Sequence, residues 1–426
     1  MSPTTTAMFI AGTLAGSGLL SLPKIADNIG WMGLVLIVLF AILATYTGVM
    51  LCEAWKMAAD VFEDCRGHVQ NPYQLLAQKT HGKVGRYTVS TCLYIGLVGS
   101  SVALIVVNAD NMETLSNAFG YEIYSCYWML IITGCITPLT WFGTPKDFWW
   151  MAYGAVSTTA LCVVMIVIMC VLDAPNQPNV QHTDTDIQKI TLGIGMIMYG
   201  FGIHSNLPTF QMDMKRPMDY KLAVISGYII TLFMFLPTML SGFLVYGKNL
   251  DDNILTSLPH GALYYTVVAV ITLHLTLALI IFVNPILQDV ELLLHIPTEF
   301  TWKRCVCRSV IAACLLFLSA TIPKFNSIQS LVGGLSFSML GYIFPVLCYK
   351  KMCQIYAAFN SQMTNTDSLK MISWKEHKRV IPLWKAMLNY GILGLGVLAG
   401  FVTSLSAIIS ILSPDSFSLP CYINIG

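Results

Sequence analysis

The chain has 426 residues, of which 56% are hydrophobic and only 11% charged, with a formal net charge of +1. Soluble domains run nearer 45–50% apolar and about 25% charged, so this composition excludes a soluble enzyme, a nucleic-acid binder and a disordered scaffold. The near-neutral balance gives no pull toward a bulk polyanion.

Crossing about 30 Å of hydrocarbon takes about 20 mainly apolar residues. In chain order, the runs that meet this rule are roughly 6–26, 31–54, 87–109, 124–142, 148–172, 190–212, 222–246, 262–289, 305–322, 328–349 and 386–412, about eleven in all. Polar breaks between them are short, except at 57–85, 173–189 and 350–384. The first run begins at Thr6 with no basic stretch before it and no small-residue cleavage site, so it is expected to be a span and not a signal peptide. The expectation is an all-α multi-pass membrane protein with one transmembrane domain over residues 1–426. No N-x-S/T sequon occurs, so glycosylation is not expected.

Charge orients these spans. With the N-terminus in the cytoplasm, all 23 Lys and Arg except Lys24, Lys189, Lys248 and Lys324 fall on the inner side. The opposite orientation would invert the positive-inside rule. The C-terminus is then extracellular or lumenal. Most of the 13 Cys, such as Cys52, Cys92, Cys162, Cys170 and Cys348, lie inside apolar runs and read as small hydrophobes. Cys305 and Cys307 have no His partner in a ligand pattern, so zinc is not expected. Cys126 and Cys421 both fall on the outer side, which leaves a disulfide between them open.

Two spans carry unusual punctuation. The first reads Gly16-Ser17-Gly18-Leu19-Leu20-Ser21-Leu22-Pro23, and the sixth reads Gly200-Phe201-Gly202-Ile203-His204-Ser205-Asn206-Leu207-Pro208. Glycine costs about 1 kcal/mol and proline about 3 kcal/mol against alanine in a helix. Irregular backbone at membrane depth survives only when buried in protein or lining a watery cavity. Span 1 opens a first set of five and span 6 a second, and an odd number per set gives two halves of opposite orientation, about 6–172 and 190–349, with an extra helix at about 386–412. Matched broken spans in two inverted halves point to a transporter's binding site. The plainer alternative is packing glycine in ordinary kinked spans.

These residues resemble the amino acid/auxin permease family, which includes proton-coupled and vesicular amino acid transporters. The first-span G-S-G-L-L-S-L-P is similar to that family's G-x-G-[IL]-L-x-L-P. Tyr73, Leu76, Ala77, Gly82, Gly85 and Arg86 resemble its inner-loop stretch. Phe201, His204 and Pro208, followed by Met214, Lys215 and Pro217, resemble its sixth-span run. Tyr246-Gly247, Leu258-Pro259 and Phe344-Pro345 with Leu347 and Tyr349 extend the likeness. The resemblance implies a LeuT-like fold, a 5+5 inverted repeat with helices 1 and 6 broken, plus an eleventh helix. It also implies amino acid transport. Sodium-coupled relatives carry an Asn and a Thr where this chain has Gly12 and Val283, so a sodium site is not expected. Its N-terminal segment is shorter than the cytoplasmic tail usual among those relatives, and loop 247–260 lacks the Cys that some use in a disulfide.

Ionisable residues inside a membrane are functional candidates by default. His204 lies in the sixth-span break and His274 in the eighth span; both are candidates for proton coupling or gating, because histidine titrates near neutral pH. The alternative for His204 is a neutral ring bonded to freed backbone groups. Glu53, Asp289 and Glu291 end spans near the inner face and read as interfacial ion pairs. Trp149 and Trp150 read as an interfacial belt. For substrate, backbone groups lead. N–H groups around Gly18, Leu19 and Leu20 can hold a carboxylate, with Gly16 and Ser17 beside them. Carbonyls of Phe201, Gly202 and Ile203 can receive an ammonium group. Asn284 is a further binding candidate.

The expected function is secondary active transport of small amino acids or related zwitterions, coupled to protons as a symport working by alternating access. The alternatives are an uncoupled facilitator or exchanger, or a non-transporting sensor of the same fold. No metal-protease motif or convergent catalytic set is visible at membrane depth, so no enzyme and no cofactor are expected. The expected partners are an amino acid, protons and the lipid bilayer of a plasma membrane or of a lysosomal or vesicular membrane.

Overall fold

The structure is a computed structural model that describes residues 1–67, 69–141, 149–297, 299–321, 325–364, 381–412 and 421. Lys146, Lys324, Lys370, Lys375, Lys378 and Arg379 from the charge count lie outside the described residues, as do the side chains of Trp149 and Trp150. The regular structure among the described residues is helix, with no strand among them.

Helix α1 (Pro3–Leu14) starts at Ser2, whose side chain accepts the Thr5 N–H, with Pro3 in the first turn. That is the usual logic of an N-cap followed by a proline with no donor to waste. After a break at 15–17 comes α2 (Gly18–Ile29), bent 60° from α1 and ended by Gly30 at φ 73°. A positive φ is where glycine is least costly. Then follow α3 (Met32–Val61) and the 47-residue α4 (Pro72–Ala118). Gly82, at φ 66°, splits α4 into a short inner arm and a long span. Next come α5 (Ser125–Trp141), α6 (Trp149–Asp173), and the second broken pair, α7 (Ile187–Gly200) and α8 (Leu207–Met212). The chain continues through α9 (Tyr220–Tyr246), α10 (Ile254–Ser257), α11 (Ala262–Leu293) and α12 (Trp302–Thr321). It ends with α13 (Phe325–Val332), α14 (Phe344–Thr364) and α15 (Leu383–Leu412). Between α13 and α14 the chain winds as π-helix over Gly333–Phe337 and Met339–Ile343.

Where they are described, the predicted spans fall mainly on helix, apart from the breaks at 15–17 and 201–206. Length alone supports fewer crossings than the sequence reading, however. Among the described residues, eight helices are long and apolar enough to cross a bilayer, or nine with the bent pair α1–α2. Helices α5, of 17 residues, and α7, of 14, fall short. The outward surface is apolar: Val35, Ile42, Val171, Phe233, Leu273 and Phe401 are all exposed. Water would penalise such a belt and hydrocarbon does not. The protein is an integral, multi-pass membrane protein.

Contacts between elements sort by end. At one end, buried Asp27 accepts from the Thr183 N–H (3.0 Å) and hydroxyl. There Lys24 donates to the Leu250 carbonyl, and Cys126 is joined to Cys421 with Cα atoms 5.5 Å apart. The open disulfide question is thus answered by a bond. At the other end, Glu291 is buried between Arg304 (3.0 Å) and Arg308, whose guanidinium also reaches the Thr140 carbonyl. Sequence placed Glu291 in an interfacial pair. It is instead a triad sealed among α5, α11 and α12, with Arg308 only 1% exposed. Asp289 accepts from the Tyr94 hydroxyl at 2.8 Å. Glu53 has no ion pair among the described residues.

Candidate functional site

The two breaks meet. A Cβ built on Gly18 would stand 3.1 Å from the Gly200 Cα, so glycine lets α2 and α7 touch backbone to backbone. Ser17 Oγ lies 3.0 Å from the Tyr199 hydroxyl, and both side chains are buried. Ser100 of α4 sits beside the same hydroxyl. Three elements therefore converge on one short chain of hydroxyl groups.

The free backbone groups differ slightly from the predicted set. Leu19 and Leu20 N–H donate to the Gly16 and Ser17 carbonyls at 3.2 and 3.3 Å. These tight i−3 bonds consume two of the donors expected to be free. The N–H groups of Gly16, Ser17 and Gly18 have no partner among the described residues. The anion-ready donors are thus 16–18, at the positive end of α2. In the second break the Phe201 carbonyl accepts from Ile203 N–H (3.0 Å) and the Ile203 carbonyl from Asn206 N–H (2.9 Å). The Gly202 carbonyl is left without a partner among the described residues, and it suits a cation.

Both histidines touch this region. His204 Nε2 lies 3.1 Å from the Ala44 carbonyl and 3.0 Å from Thr47 Oγ1 of α3. A carbonyl only accepts, so Nε2 carries the proton and Nδ1 is a bare acceptor, unpartnered and facing Gly341. The ring sits between Tyr228 and Tyr342, centroids 6.4 and 6.2 Å away. His204 bonds α3, not the freed groups of its own break. His274 of α11 is buried beside the Ala15 carbonyl of the first break, and its Nε2 has no partner among the described residues. Asn284 stands ten residues further along α11, about 15 Å from His274 by helix rise. Neighbouring Val283 faces a small cavity lined by Thr133, Thr140 and Arg308.

Sequence reasoning missed several parts. Tyr199 and Ser100 sit in ordinary apolar runs and carry no local sign. Phe337 comes from the π-wound segment and lies against Gly202. Gly333, Gly334 and Gly341 there were the available signal, since clustered glycines mark the tenth span much as they mark the first and sixth. A cavity of about 510 Å³ opens above the site, lined by Lys24, Asp110, Glu113, Asp251, Asp252 and Asn253. Lys24 is about 9 Å of helix rise from Gly18, so the cavity lies on the way from that end to the breaks.

Residues 1–409 match the family described as transmembrane amino acid transporter protein. Over 351 residues the chain is 24% identical to amino acid transporter AVT1D of Arabidopsis thaliana, covering 79% of this chain and 61% of that one. It is 25% identical over 352 residues to AVT1E of the same plant, covering 79% and 64%. The chain thus spans about three fifths of the length of these relatives. Among solved structures, MhsT in complex with L-phenylalanine superposes with a TM-score of 0.55 at 12% identity, covering 96% of this chain and 99% of the other. That likeness is one of fold, and it agrees with the broken-helix architecture inferred from the glycines.

Proposed function

Since the chain belongs to the transmembrane amino acid transporter family, we propose that it carries small amino acids or related zwitterions across a membrane by alternating access. The observation that carries this reading is the meeting of the two breaks at Gly18 and Gly200. On one side stand the N–H groups of 16–18 for a carboxylate, backed by the dipole of α2. On the other stands the Gly202 carbonyl for an ammonium group. A zwitterion fits between opposite partial charges that each lack a partner. The names of the curated relatives, amino acid transporters, support the same class of substrate.

Transport is coupled to protons in this reading, with His204 and His274 as the coupling or gating groups. One proton crossing 100 mV supplies about 2.3 kcal/mol, and one pH unit adds about 1.4. Together these sustain a concentration ratio of a few hundred for a neutral substrate. The N-terminus is cytoplasmic and the disulfide end is extracellular or lumenal. That orientation serves an importer at a plasma membrane and an exporter from an acidic vesicle alike.

The test is uptake of a labelled amino acid panel by cells expressing the protein, at outer pH about 5.5 and about 7.5, with and without sodium. Surface delivery is verified in parallel. Saturable uptake that rises in acid and ignores sodium is the expected result. Flux without pH dependence leaves the substrate class and removes the coupling. Absence of flux with the protein at the surface removes transport altogether.

A further inference from the structure

The segment between α13 and α14 forms a wall of the site that its sequence does not announce. π-winding is rare and tends to mark function, and here it runs through Gly333–Phe337 and Met339–Ile343. Its wider turns let it press against the second break. A Cβ on Gly333 would stand 1.9 Å from the Gly195 carbonyl oxygen and 2.9 Å from the Tyr199 nitrogen. Ser336 donates to the Cys92 carbonyl, pinning the same turn to α4.

The next residue is Phe337. A Cβ on Gly202 would meet its ring at 2.3 Å, and one on Gly96 of α4 would meet it at 3.2 Å. The Tyr199 ring is 5.7 Å away, centroid to centroid. One aromatic ring thus fills the space that two absent side chains leave on facing elements. An amino acid whose ammonium group rests on the Gly202 carbonyl is held at the residue against which the Phe337 ring packs.

We propose that Phe337 sets the upper size limit of the substrate side chain, admitting glycine-, alanine- and serine-sized groups and excluding leucine- and phenylalanine-sized ones. The inference rests on the proposed binding of an amino acid between the breaks and deepens it by naming the residue that selects. A hydrophobic pocket gains or loses about 10–200-fold in discrimination per methylene. Removing a phenyl ring is therefore a large change for a bulky ligand and a small one for alanine.

The experiment measures binding of glycine, alanine, serine, leucine and phenylalanine to the purified full-length protein, with Phe337→Ala, Phe337→Leu and Leu335→Ala beside the wild type. Leu335 shares the turn and its side chain is exposed, so it reports on damage to the winding alone. The expected wild-type order favours alanine over leucine. Phe337→Ala is expected to move the alanine-to-leucine affinity ratio about tenfold or more toward leucine, with Phe337→Leu intermediate and Leu335→Ala unchanged. Should Phe337→Ala fail to fold, Phe337→Leu carries the same ratio. A wild type that binds alanine while its Phe337 variants keep the wild-type ratio overturns the size limit and leaves the proposed function standing. A wild type that prefers leucine or phenylalanine overturns it too. A wild type that binds no amino acid overturns both.

Discussion

The Cα of Gly200 stands where a side chain on Gly18 would have to begin, 3.1 Å from a Cβ built there. Two backbones from distant parts of the chain touch at that point. Gly18→Ala is expected to push them apart by a few tenths of an ångström, costing about 1–3 kcal/mol, and to reduce uptake at least tenfold. Gly200→Ala is the control, since its Cβ would meet only the Phe235 ring, at 3.4 Å; uptake near wild type is expected. Labelled uptake normalised to surface protein checks both.

The two histidines differ in what they hold, so their variants are expected to differ. His274 stands beside the Ala15 carbonyl, where Gln can offer a donor and Leu cannot. His274→Gln is expected to transport and His274→Leu to fail. If His274 also takes up the coupled proton, the Gln variant loses the rise of uptake in acid. His204→Gln retains a donor for the Ala44 carbonyl, 3.1 Å from Nε2 in the parent ring. It is therefore expected to keep its fold, as read by thermal melting. Uptake at several outer pH values separates the histidine that carries the pH response from one that only ties helices together.

Glu291 sits among Arg304, Arg308 and the Thr140 carbonyl with almost no exposure. Breaking a buried ion pair from one side costs about 3–5 kcal/mol, because a charge is left unpaired. Glu291→Gln is expected to lower the melting temperature most, since two guanidinium groups then lack their carboxylate. Arg304→Met is expected to be mild, because Arg308 still grips both Glu291 oxygens. Melting of the purified variants orders them.

Cys126 and Cys421 are joined, while Lys350 and Lys385 bond to Tyr390 and Tyr349 at the opposite end. A membrane-impermeant thiol reagent added outside intact cells, with a reductant, is expected to label Cys126 and Cys421. Lysine labelling at Lys350 is expected only after permeabilisation. The reverse pattern would turn the proposed orientation over.

Much of this was legible in the sequence, for a physical reason. Helix breaks come from local backbone cost, so Gly16, Gly18, Gly202 and Pro208 announce them without any knowledge of the fold. The side of the membrane is also a local signal, carried by Lys and Arg. Depth is not. Charge grouped Arg304 and Arg308 at one end, yet nothing marked them as buried, because their partner Glu291 lies on another helix. The free donors were misplaced by one to two residues because the first turn of α2 closes on itself through Leu19 and Leu20. Gly333, Gly334 and Gly341 marked the segment, but Phe337 itself carried no sign, since its partners Gly96 and Gly202 are far away in sequence. The count of spans was read from hydropathy, and helices as short as α5 and α7 show that apolar character and helix length need not agree.

The disulfide and the buried triad act on the same group of helices from opposite ends. Cys126–Cys421 fastens the start of α5 to the segment that follows α15, and the Cys421 N–H donates to the Ala320 carbonyl at the end of α12. About 21 Å further along α5 by helix rise, Arg308 fastens the other ends of α12 and α5 to α11. In the alternating access proposed above, helices fastened at both ends would serve as the frame. Any stroke that exposes the breaks first to one side and then to the other has to be made by the pieces outside that frame. The interrupted pairs α1–α2 and α7–α8, already jointed at their glycines, are the ones built to make it.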